Sequence, residues 1–173
     1  MKELLTAIAA YNKGANAALS AILVAQPESL LREDQGSFYK SVFGTFEHLV
    51  ASEVSLLKRY ATYVPGSSLG AKKLVVDDIE DTKSRIAKGV KEAAAVAAEA
   101  DALLLAFVGE VDEAQLAARV KYKTYKGEEI ERYFWSLLFH IFNHGTHHRG
   151  EISALLDRVG VKNDYSGFNN YTS

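Results

Sequence analysis

The sequence predicts an all-α protein: a four-helix bundle with a short β-hairpin between its third and fourth helices. Three observations carry this reading. Long stretches repeat apolar residues at three- and four-residue steps. Both prolines, Pro27 and Pro65, stand where such a stretch stops. One segment, 119–130, switches to a two-residue alternation. A chain of 173 residues is of single-domain length, and residues 1–173 read as one domain.

The first helix is predicted over Lys2 to Val24, where Leu4, Leu5, Ile8, Ala9, Tyr11, Ala15, Leu19, Ile22 and Leu23 form an apolar face. Gln26 to Gly36 reads as a loop, with Ser37 as N-cap of a second helix from Phe38 to Tyr60 that ends before Pro65-Gly-Ser-Ser. A long third helix is expected from Asp77 to Val108. Asp77 and Asp78 would favour its positive end, and its alanine-rich middle is intrinsically helical. Arg119 to Ile130 alternates polar with β-prone residues, and Lys126-Gly127 suits a tight turn. The fourth helix is expected from Glu131 to Val159, with Gly160 just past its end. The tail from Val161 is rich in Asn, Ser and Tyr and reads as irregular.

Composition narrows the function classes. Hydrophobic residues at 48% and charged residues at 24% suffice for one core. The net charge is −2 and opposite charges alternate along the chain, so neither a basic patch nor a nucleic-acid partner is expected. The absence of cysteine excludes disulfides, thiolate ligands and a cysteine nucleophile. The N-terminus lacks a signal-peptide pattern, and Glu99 and Asp101 interrupt the most apolar run, so no membrane span is expected and a cytoplasmic location is the default.

All five histidines fall in two predicted helices: His48 in the second, and His140, His144, His147 and His148 in the fourth. Positions i and i+4 of a helix differ by only about 40° in azimuth, so His144 and His148 share a side and His140 extends the row. His147 points toward the flank. This pattern suits a three-histidine metal site closed by His48 from across the bundle, with positions left for water or substrate. The competing reading is that some of these histidines are core or surface residues with no ligand role. Around His48, small residues (Ser41, Gly44, Thr45, Ala51, Ser52 and Ser55) leave room for the imidazole, although close helix packing would favour them equally. An H-E-x-x-H peptidase is excluded, because Gly145 stands where its glutamate would be. Tyr11 and Asn16 are further candidates for a pocket lining. Glu151 is a candidate to hold a ligand imidazole by its other nitrogen. Arg149 reads as a packing and ion-pairing residue, and His140 as either a core or a substrate-facing group.

The segment Leu137-Leu-Phe-His-Ile-Phe-Asn-His-Gly-Thr-His-His-Arg-Gly-Glu-Ile-Ser-Ala-Leu-Leu resembles the fourth helix of the DinB family, within the DinB and YfiT-like metalloenzymes. Gly44-Thr-Phe-Glu-His-Leu-Val-Ala-Ser-Glu matches that family's lone second-helix histidine, and Tyr11-Asn-Lys-Gly-Ala-Asn16 matches its first-helix pattern. The resemblance spans almost the whole chain. It implies a four-helix bundle, often a homodimer, with one divalent metal ion on His48, His144 and His148. Nickel or zinc are the typical occupants, with iron or manganese as alternatives. It also implies work with a low-molecular-weight thiol, as an S-transferase or isomerase. Two positions depart from the family pattern: Gly14, where many members carry tryptophan, and Glu151, where glutamine is frequent.

The resulting expectation is a metal-dependent enzyme acting with a low-molecular-weight thiol or activated water. The alternative is a metal-binding stress-response protein without catalysis.

Overall fold

The computed structural model describes residues 1–71, 79–124 and 126–172. The chain is mostly helical, with one small antiparallel sheet. Four long helices make the framework: α1 (Lys2–Val24), α3 (Val42–Ala61), α6 (Val90–Glu110) and α8 (Phe134–Arg158). Shorter helices lie between them: α2 (Glu28–Arg32), α4 (Ser68–Ala71), α5 (Ile79–Ala87) and α7 (Glu113–Ala117). Helix α1 packs against α6 and α8, and α3 packs against the same two. Leu19 and Leu23 of α1, Phe46 and Leu57 of α3, Phe107 of α6 and Phe134 of α8 are almost wholly buried where they meet. Each such side chain contributes roughly 1.5–3 kcal/mol relative to exposure. None of the described helices is long and apolar enough to cross a membrane.

Helix α1 has the limits that its periodicity predicts, although Leu4, placed on the apolar face, is exposed. Elsewhere the expectations need correction. The loop after Pro27 contains α2. Helix α3 starts at Val42 rather than Phe38, and its N-cap is Ser41, whose Oγ accepts from the Gly44 amide at 3.0 Å. Ser37 instead forms an isolated bridge with Lys40, and Phe38 is 87% exposed. The long third helix is two helices. Gly89, at φ +143°, turns the chain between α5 and α6, in a conformation that side-chain-bearing residues rarely adopt. Asp77 and Asp78 lie outside the described residues.

The hairpin follows α6 and the capping-box helix α7, rather than lying between a third and a fourth helix. Strands β1 (Arg119–Lys123) and β2 (Glu129–Tyr133) pair Arg119 with Tyr133 and Lys123 with Glu129. The Arg119 guanidinium binds Glu131 at 2.8 Å. Gly127, at φ +81°, sits in the turn, and its amide donates to the Thr124 carbonyl. Because β2 runs directly into α8, the hairpin stands beside the first turns of the histidine-bearing helix. Helix α8 ends at Arg158, with Gly160 at φ +74° as its left-handed terminator. The tail is irregular but for a 3-10 turn at Phe168–Asn170, and it is pinned by the Tyr165 hydroxyl donating to the Arg149 carbonyl at 2.7 Å.

Candidate metal centre

Helices α3 and α8 bring His48, His144 and His148 together, each with a ring nitrogen within 4.8 Å of the others. Within α8, the Nε2 atoms of His144 and His148 are 3.1 Å apart. Two imidazoles bound tetrahedrally at 2.0–2.1 Å would hold their nitrogens roughly 3.3 Å apart, so the spacing suits an ion without rearrangement. His148 is buried, at 5% exposure, while His48 and His144 are half-buried.

Neighbouring residues aim these rings. Glu151 Oε2 lies 2.6 Å from His148 Nδ1, so the carboxylate accepts the Nδ1 proton and leaves the Nε2 lone pair facing His144 and His48. Tyr39 stacks on His48 with ring centroids 4.1 Å apart and touches the His148 edge. Gly44 makes that possible: a Cβ there would run into the Tyr39 carbonyl oxygen, so only glycine lets the preceding loop fold back onto α3. Ser52 Oγ lies 3.4 Å from His48 Nε2. Burial, reinforced by the His148 and His48 rings, pushes the His144 imidazole down to about 4. Burial and His148 also lower His48. Both rings are therefore neutral, as ligands must be, throughout the neutral range.

A buried polar layer backs the site. Asn12 and Asn16, one turn apart on α1, donate to Asp101 of α6 at 2.8 and 3.0 Å. Their amide oxygens accept from Arg149 of α8 at 2.7 and 2.9 Å. Glu53 of α3 completes the layer, with Oε1 buried and without a hydrogen-bond partner. Burial, then the Asp101 charge, pushes the Glu53 carboxyl well above the carboxylate range. Burial also raises Asp101, to about 7, against the opposing pull of Asn16 and Arg149. Both shifts favour the protonated carboxyl, so the pair resists holding two negative charges.

The remaining expectations sort by position. Asn16 belongs to this buried layer rather than to a pocket, and Tyr11 packs beneath the Arg149 guanidinium at 5.2 Å. Arg149 is the packing residue expected, buried over Tyr11, but among the described residues it bonds the Asn12 and Asn16 amides rather than a carboxylate. Gly145 faces α1, where a Cβ would come within 2.9 Å of Asn12 Oδ1. His147 is exposed on the flank, with Nε2 3.2 Å from Glu151 Oε1. Although His147, His148 and Glu151 also cluster, these contacts describe the surroundings of one ligand candidate. His140 is exposed, one turn from His144, with ring centroids 6.2 Å apart. The place of Gly14 is explained by the tail, because a Cβ there would collide with the Tyr171 ring.

A cleft of about 360 Å³ opens on the ligand side, lined by Ser52, Ser55, Lys83, His140 and His144 among others. A wider cavity of about 870 Å³, between α1 and the tail, contains no histidine. Sequence reasoning missed Tyr39, which lies in a loop without pattern. It also missed Glu53 and Asp101, whose only signal is a charge set within an apolar helical face.

Fold and histidine grouping together define a helical protein with a candidate three-histidine metal centre beside an open cleft. The chain belongs to the DinB family, whose profile matches residues 1–170. No curated protein and no solved structure is similar enough to match.

Proposed function

We propose that His48, His144 and His148 hold one divalent ion, nickel or zinc first among candidates, in a metal-dependent enzyme acting with a low-molecular-weight thiol, as an S-transferase, or with activated water. The observation that carries this reading is the convergence of three ring nitrogens within 4.8 Å beside an open cleft. When bound, such an ion supplies Lewis acidity that lowers the pKa of a coordinated water toward about 7 and favours a thiolate in the same way. The chain's own residues do the rest. Glu151 holds the His148 proton at Nδ1, and His144 stays neutral. His140, beside His144 and open to solvent, is placed to take the proton that a thiol or water gives up. With no cysteine in the chain, the thiol comes from a second molecule.

The test has two stages. Elemental analysis of protein purified without added metal or a histidine tag should find about one divalent ion per chain, and none in a His144→Ala, His148→Ala double variant. A small thiol added to cobalt-substituted protein should then produce a sulfur-to-metal charge-transfer band that requires His48. A spectrum indifferent to thiols leaves water activation. One indifferent also to small anions leaves a metal-binding stress-response protein without catalysis. The homodimer and the four-helix-bundle description belong to the same proposal. Light scattering that shows only monomer at tens of micromolar would rule the dimer out.

A further inference from the structure

The cleft at His144 does not end there. Leu56 and His140 line it and also line a second cavity of about 460 Å³, so the two form one trough along α3 and α8, bounded farther on by the hairpin. The hairpin end holds two guanidinium groups, Arg59 of α3 and Arg132 of β2, with Tyr122 between the strands and the helix. Among the described residues, no acidic side chain lines either cavity. Lys83, at the histidine end, is already neutralised by Glu80 at 2.8 Å.

We propose that Arg59 and Arg132 form a subsite for the carboxylate or phosphate group of an elongated substrate whose reactive end lies at the histidines. Elsewhere in the described residues, Arg32, Arg85 and Arg119 each hold a carboxylate at 2.7–2.8 Å, while Arg149 is spent on the Asn12 and Asn16 amides and Arg158 on the Gln35 carbonyl. Arg59 and Arg132 hold none. The Arg59 guanidinium lies 5.3 Å from the Tyr122 ring, and Arg132 gives one N–H to the neighbouring Glu131 carbonyl. Their remaining donors have no protein acceptor among the described residues. Two cations that share a cavity without a counter-charge repel each other, and an anion with several oxygens relieves this while accepting forked hydrogen bonds.

The helices set the length of the occupant. From His48 to Arg59 along α3 is eleven residues, about 16 Å, and from His144 back to Ser136 along α8 is eight, about 12 Å. An acid only a few atoms long cannot reach both ends. A molecule with its acid group some ten bonds from its reacting atom can. The reactive end rests on the metal reading above, whereas the anion subsite does not depend on it.

The experiment therefore begins with metal-free protein. In ¹⁵N-arginine-labelled full-length chain treated with chelator, inorganic phosphate and butyrate are titrated separately while the arginine Nε–Hε signals are followed. Arg59 and Arg132, assigned through R59Q and R132Q, should shift in a saturating way with at least one probe, and Arg85 and Arg119 should not. The preferred probe identifies phosphate or carboxylate as the group held. Each glutamine variant should weaken binding by about tenfold or more. Both arginines are exposed or at a strand, so circular dichroism should find the variants folded. On cobalt-loaded protein, ω-mercaptoalkanoates of increasing length should bind best near ten methylenes. Their advantage over the matching alkanethiols should vanish in the double variant. Absence of a saturating shift at either arginine, or affinity unchanged in both variants, overturns the subsite whatever the fate of the metal centre. A length optimum at the shortest mercaptoalkanoate overturns its connection to the histidines.

Discussion

Replacing Glu53 with glutamine should stabilise the protein, and increasingly so as pH rises. Glu53 and Asp101 are 5% and 3% exposed and face each other across α3 and α6, with the Arg149 guanidinium as the nearby cation. A carboxyl whose pKa is raised by folding binds its proton more tightly in the folded state. Its contribution to stability is therefore full below the unfolded value near 4 and is lost as pH rises toward the folded value. For Asp101 that window runs from 3.8 to about 7, and burial beside Asp101 raises Glu53 in the same direction. The Asp101 window alone, at 1.36 kcal/mol per pH unit, sets a scale of roughly 4 kcal/mol for the stability that the pair forgoes by pH 8. Glutamine has no proton to lose, and its amide can donate to Asp101, which then ionises without a neighbouring acid. The variant should match wild type near pH 4 and exceed it by about 2–4 kcal/mol at pH 8. Urea denaturation of both proteins at the two pH values, with chelator present, measures this. His144, whose lowered pKa makes stability rise with pH between about 4 and 6.5, contributes equally to both and cancels. If Glu53 were ionised and neutralised by Arg149, the same substitution would destabilise, most strongly at pH 8. That outcome would refute the reasoning.

Two further substitutions test the surroundings of the histidines. Glu151→Gln removes the carboxylate 2.6 Å from His148 Nδ1 and should weaken metal affinity by about 10–100-fold while leaving one site per chain, measured by competition with a chromogenic chelator. Gly145→Ala, whose Cβ would press on Asn12 Oδ1 and Arg149 Nη1, should destabilise the fold by about 1–3 kcal/mol in urea denaturation.

The parts of the fold that were legible in the sequence rest on local rules. Apolar spacing marks α1 to the residue, and the left-handed glycine marks the end of α8. The one-turn spacing of His144 and His148 places both rings together, since helix geometry alone sets it. What escaped reading depends on the fold as a whole. The apolar pattern runs through Lys88-Gly89 without a gap, so the break between α5 and α6 depends on a backbone angle that composition does not declare. Ser37 and Ser41 are equally good caps on paper; the folded-back Tyr39 loop, admitted by Gly44, selects the second. The Glu53–Asp101 pair and the Arg59–Arg132 trough join residues 48 and 73 positions apart, which no window of sequence brings together.

The polar layer behind α8 has a consequence for metal choice. Arg149 follows His148 directly, so its side chain leaves the helix about 100° away and is gripped by Asn12 and Asn16 on α1. Helix α8 cannot rotate about its axis or slip by a residue without stripping those bonds from a buried guanidinium. The directions of His144 and His148 are thus set before any ion arrives, and binding need not spend free energy ordering them. A divalent ion held there as proposed would be selected by size and coordination angle, since so rigid a seat cannot adapt to its guest. Loosening it, for instance with Asn16→Ala, should blur the preference among divalent ions more than it lowers affinity for any one of them.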